Sequence, residues 1–451
     1  MGEPPPTPLP PYQLLSCMLV MMTVAFQINV IWPFLPFMVD TIRGTDENAG
    51  FYVGLLASAY FWAQFAAAFA WGAMPARFGC RHCMIFSSIA VGVSLVGFGM
   101  SESFEAAVFW RVVGGLLNGN MPVVKSYLAR ITDKSNQAKG FSVLSFSWGL
   151  GGLVAPTVGG FLSEPALKYP GLQLEGGPFA RWPYLLPCVA AGLVCFAAAA
   201  SAAVWIPDDA PRRASQQYAR VQASDDATDR PGRAGAGGSG ELARPAAAAE
   251  KEVGGGSLYA AGAEEEEEDG ERITSPGYLE LLSPEMSGLA CLAYLWSSLN
   301  YVIFDEMLPL YCKADYDHGG LQWDTNDIGT ALSVGGLVLC FYQPLVYPKL
   351  TNRFGVVGTY RIGIWTFSIA TGAFSFMTYL VPYGPAAVWA SMAVFRALYV
   401  HAATCCFAGA GLLINNSCEL RDVAKVNGIG QAIASLARAV FPTVAGERQT
   451  T

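Results

Sequence analysis

Gly72-Ala73-Met74-Pro75-Ala76-Arg77-Phe78-Gly79-Cys80-Arg81 ends one apolar run and opens another, and Tyr347-Pro348-Lys349-Leu350-Thr351-Asn352-Arg353-Phe354-Gly355 does the same late in the chain. The first is fed by Phe65 to Met74, the second by Leu332 to Pro348. One short basic turn at matching places in two halves predicts an internal repeat. Repeats of this kind are common in polytopic membrane carriers, whose solute site lies between the halves.

Composition agrees. The chain has 451 residues, 53% hydrophobic and 14% charged, whereas soluble domains carry about a quarter charged residues. A spanning helix needs about 20 mostly apolar residues. Eleven stretches qualify: Leu14 to Met38, Gly50 to Gly72, Met84 to Met100, Ala106 to Leu128, Gly140 to Leu162, Trp182 to Trp205, Met286 to Tyr311, Ile328 to Tyr347, Val357 to Leu380, Ala386 to Ile414 and Val426 to Ala445. The expected fold is therefore an all-α membrane protein. The 11 cysteines lie mostly inside these runs, where they act as small hydrophobes rather than as a disulfide framework. Met1 to Tyr12 has no basic n-region, so the first run reads as a retained helix and not a signal peptide. The net charge of −8 has one focus in Glu264 to Glu268, and no nucleic-acid partner is expected.

Lys and Arg concentrate in alternate turns: Arg77 and Arg81; Arg130, Lys134 and Lys139; Lys349, Arg353 and Arg361; Arg421 and Lys425. The intervening turns are acidic or neutral, with Asp46, Glu47, Glu102, Glu105 and the stretch from Asp315 to Asp327. The positive-inside rule then puts the basic turns and the N-terminus on the cytoplasmic side. Pro207 to Ser283, rich in Ala, Gly, Ser, Pro and Glu, cannot bury enough apolar surface to fold and reads as a disordered cytoplasmic linker. The expected organisation is residues 1–206 as a six-helix bundle, 207–283 as linker and 284–451 as a second bundle of five helices. Phe109-Trp110-Arg111 is echoed by Val394-Phe395-Arg396, and Ala155-Pro156 with Gly159-Gly160 by Phe441-Pro442 with Gly446. These echoes predict a 6+6 plan with a pseudo-twofold repeat, in which a twelfth helix is missing.

No phosphate-cradling loop, H-E-x-x-H or triad-like serine is present, so neither an enzyme nor a cofactor is expected. Cys80-Arg81-His82-Cys83 would need further metal ligands, and the other histidines are only His318 and His401; no metal site is expected. The fourth run carries Arg111, Gly115, Asn118, Pro122 and Lys125 at helical spacing on one face. Arg111 would sit about 9 Å deep, where a charge normally faces a polar cavity. It could tune a proton carrier, hold an anionic group or serve a structural ion pair; Lys125 could line the cavity or snorkel. Asn427, Gln431, Ser435, Arg438 and Pro442 form a second polar stripe, which must face protein or water. Asp305 and Glu306 interrupt the seventh run; a desolvated carboxyl there could carry protons, or both could stay solvated at a mouth. Gln27 and Asn29 are polar points in the first run, with Pro33 and Pro36 as breakers. His401 reads as a packing residue.

On these residues the chain resembles the major facilitator superfamily. Gly72 to Arg81 is similar to its loop signature Gly-x-x-x-Asp-Arg-x-Gly-Arg-Arg, with Ala76 where the signature has Asp. That resemblance implies a gating role for Gly72, Arg77, Gly79 and Arg81, and for Arg353 and Gly355 in the second half. Arg111 with Gly115 and Gly119 resembles a helix signature linked to proton coupling, and Gly151 to Gly160 the antiporter signature, with Ala155 replacing a Gly. More narrowly, Asn118 to Tyr127, Ser147-Trp148-Gly149, Gly159 to Pro170, Gly319 to Gly329 and Ala437-Arg438-Ala439 are similar to the zinc-induced facilitator-like transporters. The narrower resemblance implies proton-coupled antiport at a vacuolar or plasma membrane. The Cys-Pro-x-Cys segment and the His-rich loop of plant members are absent.

The expected function is therefore secondary transport of a small organic or zwitterionic solute by proton-coupled antiport, through a monomer in a lipid bilayer. Arg111, Asp305 and Glu306 are the proton-coupling candidates, and Gln27, Asn118, Lys125, Gln431 and Arg438 the cavity candidates. A non-transporting receptor or scaffold on the same fold, and an uncoupled uniporter, remain the alternatives.

Overall fold

The computed structural model describes residues 8–44, 49–132, 136–172, 177–208, 287–374, 376–417, 430 and 432–440. All of them belong to one compact unit, made of residues 1–214 and 277–451. The 207–283 linker lies outside the described residues but for its first two positions. The described elements are helical throughout: α1 Pro11–Asn29, α2 Leu35–Arg43, α3 Ala49–Phe78, α4 Cys80–Gly99, α5 Phe104–Leu117, α6 Asn120–Ile131, α7 Gln137–Leu162, α8 Pro165–Lys168, α9 Pro178–Arg181 and α10 Leu185–Trp205. After the linker come α11 Gly288–Lys313, α12 Thr325–Leu345, α13 Tyr347–Phe374 and α14 Pro385–Asn416, then a short helical stretch, α15, at 432–440.

Six of these helices are long and apolar enough to cross a membrane, and a seventh span arises if α13 and the bent turn Met377–Tyr383 count as one. Phe86, Leu193, Phe341, Trp365 and Ile369 point outward from them. So much exposed apolar surface suits lipid rather than water. The protein is an all-α, multi-pass membrane protein.

Several of the eleven predicted runs are not continuous helices; Val357 to Leu380 leaves α13 at Phe374 and ends in the bent turn Met377–Tyr383, and two further breaks bear on the site. Leu14 to Met38 breaks at residues 30–34, between α1 and α2, where Pro33 lacks an N–H and cannot continue the helical ladder. Ala106 to Leu128 breaks at Asn118 and Gly119, between α5 and α6. Lys125 therefore does not continue the straight face that carries Arg111.

The two basic turns that open the sequence reading share one geometry. The Arg77 guanidinium lies 5.5 Å from the Phe78 ring centre, and that of Arg353 5.5 Å from Phe354. Gly79 and Gly355 then turn the chain at φ +81 and +71, a region a side chain resists. Arg81 is held inside its own half: its Nη2 donates to Ala203 O at 2.6 Å, and its Nη1 lies 3.7 Å from Asp208.

Within this one unit, the helices that precede residue 209 meet those that follow residue 286 mainly through α7 and α12. A side chain on Gly149 would strike Cys340 Sγ at 3.2 Å, one on Gly160 would strike Gly329 Cα at 3.0 Å, and Gly152 faces Gly336. Missing side chains let the backbones approach as small residues do in membrane helix pairs. The Thr157 and Ser333 hydroxyls bond at 2.6 Å within this seam.

At the end reached by Gly44, Ser163 and Ala314, two lysines tie the halves together. Lys168 Nζ donates to Gly160 O at 2.7 Å, Ser163 Oγ at 3.1 Å and Asn326 Oδ1 at 2.7 Å, and also to Thr325 Oγ1. Burial depresses the Lys168 pKa, and the carboxylates of Glu164 and Asp324 oppose that shift. Glu164, which starts α8, holds a left-handed conformation (φ 53, ψ 49), uncommon for a non-glycine residue. Lys313 Nζ donates to Pro36 O at 3.0 Å and to the Asp40 carboxylate. Lys168→Met removes a charged donor from several acceptors at once. It is expected to cost about 2 kcal/mol, read as a lower thermal midpoint of the detergent-purified protein. An unchanged midpoint would mean that water replaces the ammonium without cost.

Candidate functional site

The first half holds a buried polar cluster where α1, α3 and α5 meet. Gln27 is 2% exposed and Asn118 4%. Asn118 Nδ2 donates to Gln27 Oε1 at 2.8 Å and to the Tyr60 hydroxyl at 2.7 Å. Tyr60 in turn donates to Gln27 Oε1 at 3.4 Å, and Gln64 Nε2 to Tyr60 at 3.3 Å. Asn118 reaches this cluster because it caps the end of α5 with non-helical backbone (φ −86, ψ 88). Gly114 makes the approach possible, since a Cβ there would strike Gln27 Nε2 at 2.5 Å.

Arg111, 4% exposed, donates from Nε to Leu56 O at 3.2 Å, and its guanidinium lies 4.6 Å from the Tyr60 ring centre. A buried cation held by a carbonyl and an aromatic face is well satisfied. Leu56 and Tyr60 lie one turn apart on α3, so a single helix face supplies both contacts.

The second half repeats this device and adds an acid. Arg396 on α14 donates from Nη2 to Leu332 O at 3.2 Å, and its guanidinium lies 5.3 Å from the Tyr399 ring centre. Its Nη1 also stands 4.0 Å from the Asp305 carboxylate on α11. Both residues are 6% exposed. Arg396 Nε has no hydrogen-bond partner among the described residues. Tyr399 donates to Tyr301 O at 2.9 Å, and the two rings stack 6.2 Å apart. Gly335 makes room, because a Cβ there would lie 2.9 Å from the Arg396 guanidinium carbon. A small cavity beside Tyr301 is lined by Trp296, Ser297, Asn300, Phe367 and Cys406.

Sequence reasoning marked Asp305 and noticed Arg396 only as an echo of Arg111. The echo was the usable signal, because a basic residue at the same point of each half implies the same backbone anchor. Tyr60, Tyr301 and Tyr399 carried no signal, being three of 19 tyrosines. The side chain of Glu306, and Gln431, lie outside what is described, and Gly72 falls within α3. Arg438 on α15 donates from Nε to Ala434 O at 3.2 Å and lies 5.6 Å from the Phe61 ring centre. Its neighbour Ala439 packs with Val24, Ile28, Tyr60, Phe61, Met121 and Trp148. This brings Arg438, of the second polar stripe, against residues of α1, α3, α6 and α7, while Asn427, Gln431 and Pro442 of that stripe lie outside the described residues. Lys125, one turn beyond Met121, is half-buried. The structure thus gathers Gln27, Asn118 and Arg111 into one cluster and pairs Asp305 with Arg396. The turn residues Arg77, Gly79, Arg81, Arg353 and Gly355 stay at the helix ends.

A bundle of apolar spanning helices, with buried charges held by backbone carbonyls, tyrosines and one acid, defines a polytopic membrane protein that keeps a polar interior. The chain belongs to the Major Facilitator Superfamily, whose family model matches residues 17–321. This is a family of membrane transporters, not of enzymes. Among its relatives is the Arabidopsis thaliana protein ZINC INDUCED FACILITATOR-LIKE 1, 24% identical over 441 residues, covering 97% of this chain and 84% of that one. A "Probable peptide/nitrate transporter" of the same plant is 26% identical over 355 residues, covering 78% of this chain. This chain spans 66% of that relative's length. Among solved structures, that of a D-xylose-proton symporter superposes with a TM-score of 0.66 at 14% identity, covering 97% of this chain and 89% of that one.

Proposed function

We propose that this protein is a secondary transporter that exchanges a small organic or zwitterionic solute for protons. The reading is carried by one observation: a carboxylate, Asp305, buried within a spanning bundle 4.0 Å from its partner Arg396. Intramembrane acids are expensive and usually mark proton or ion pathways. A pair that close but not in tight contact can release its arginine when the acid takes a proton. Arg111 and Glu306 are assigned supporting roles in coupling, and Gln27, Asn118, Lys125, Gln431 and Arg438 line the solute path.

The architecture proposed is two bundles, residues 1–206 and 284–451, related by a pseudo-twofold repeat and joined by a cytoplasmic linker at 207–283. The matched geometry of Arg77-Phe78-Gly79 and Arg353-Phe354-Gly355 supports it, as does the shared anchoring of Arg111 and Arg396. The basic turns favour a cytoplasmic N-terminus. The plant relative's name supports kinship with the zinc-induced facilitator-like transporters, and with it a vacuolar or plasma membrane site. The protein is taken to act as a monomer.

The test is proton movement in proteoliposomes loaded with a pH-sensitive dye, challenged with a panel of zwitterions, organic acids and cations. A solute-driven pH change that disappears in Asp305→Asn is the expected result. Solute flux without any pH change would replace this reading with the uniporter.

A further inference from the structure

We propose that the Lys168 ammonium is a tethered cation that locks the two halves together at the end reached by Gly44, Ser163 and Ala314, and that the oxygens around it form a site for a monovalent cation of ammonium size once the tether is withdrawn.

The cage draws on both halves. Gly160 O and Ser163 Oγ come from the end of α7 and the residue after it, Thr325 Oγ1 and Asn326 Oδ1 from the first turn of α12. All four acceptors are neutral, and Ser163 and Thr325 are 0% and 1% exposed. They hold together without the lysine as well. The Ser163 and Thr325 hydroxyl oxygens lie 2.9 Å apart, and Thr325 Oγ1 lies 3.2 Å from Gly160 O. Four converging oxygens are what a bare cation needs, since each offers a lone pair and none must lose a proton. Gly160 O belongs to the last turn of α7, where the helix dipole favours a positive charge. The carboxylates of Glu164 and Asp324 add attraction at longer range.

The chain is bent to deliver the ammonium. The left-handed turn at Glu164 reverses the chain after α7, so α8 carries Lys168 back to the end of the helix it has just left. Strain of that kind persists where the surroundings over-determine it. Gly160 keeps the cage small, because a Cβ there would lie 2.4 Å from Thr325 O. Lys313 is the contrasting case. It meets the Asp40 carboxylate and lies 5.0 Å from the Phe37 ring centre, so its removal strands an acid rather than emptying a neutral cage. A lysine on its flexible stem can leave by rotating its own bonds, whereas the backbone contacts of the glycine seam cannot. The lock is therefore the part of this end that opens without dismantling the seam.

The test uses the purified full chain carrying Lys168→Ala, in choline chloride and with ammonium chloride exchanged for it at constant ionic strength. In choline the variant is expected to melt below the parent, with the amides of residues 328–331 exchanging at least about tenfold faster. Ammonium is expected to recover roughly half or more of the lost midpoint, saturably, and to slow those amides again. Lithium, too small to reach four oxygens set around an ammonium, should do neither, and Thr325→Val in the same background should abolish the recovery. The parent, its cage filled, should respond to none of these salts. Folding of Lys168→Ala only when ammonium is present would be the same result. A variant as stable and as protected as the parent in choline would overturn the lock, as would faster exchange spread evenly over the chain. Recovery by lithium as well as by ammonium would be charge screening, and recovery by no ion would mean that Lys168 acts through packing; either would overturn the site.

Discussion

Arg396→Leu is expected to destabilise the protein by about 3–5 kcal/mol, the cost of stranding one member of a buried ion pair. The substitution removes the only cation found within 4.0 Å of Asp305 among the described residues, at a position where that carboxylate is 6% exposed. It also removes the donor to Leu332 O. Neither loss can be made good by water in the apolar cluster of Phe304, Phe374, Phe395 and Tyr399. Adding Asp305→Asn to the same chain should recover most of the loss, because the stranded charge and not the missing packing dominates it. Titration of the folded, detergent-solubilised protein with dodecyl sulfate would measure both variants. A double variant as unstable as the single one would show that Arg396 acts through packing and the carbonyl, and that Asp305 is not its partner in energetic terms.

The seam between α7 and α12 should be equally intolerant. Gly336→Leu places a Cβ against the backbone of Gly152 and Leu153, where no side chain can rotate away. Overpacking typically costs 1–3 kcal/mol, and a clash with rigid backbone lies at the upper end, about 3 kcal/mol or more. The folded, monodisperse fraction of a fluorescent fusion on size exclusion should fall severely. Gly411→Leu, on α14, is the control, because nothing lies within 4 Å of a Cβ there. If both variants behave alike, helix propensity rather than close approach explains the glycines.

Much of this architecture was legible because hydrophobic runs, basic turns and prolines act locally. Pro33 breaks the first run as expected, and the two Arg-Phe-Gly triplets mark helix junctions in both halves. The break at Asn118 had a local signal, the turn-favouring dipeptide Asn118-Gly119, which was outweighed by the apolar run on either side of it. By contrast, adjacent acids at 305 and 306 give no local hint of which one meets a cation. The choice is made by Arg396, 91 positions away on another helix. Lys168 stood out only as part of a motif, and its acceptors on α12 become visible only once the halves are packed.

The interruption at Asn118 has a mechanical meaning of its own. The carbonyls it frees are already claimed: Trp71 Nε1 donates to Leu116 O at 2.9 Å and Ser87 Oγ to Leu117 O at 2.8 Å. The Gly119 amide donates back to Ser87 Oγ at 2.9 Å. Carbonyls and an amide held in this way by fixed neighbours have little to gain by rearranging. The joint is a weld and not a hinge. The first half should therefore move as one solid piece, and any alternation between states has to be worked out along the glycine seam and the two lysine clasps at its end.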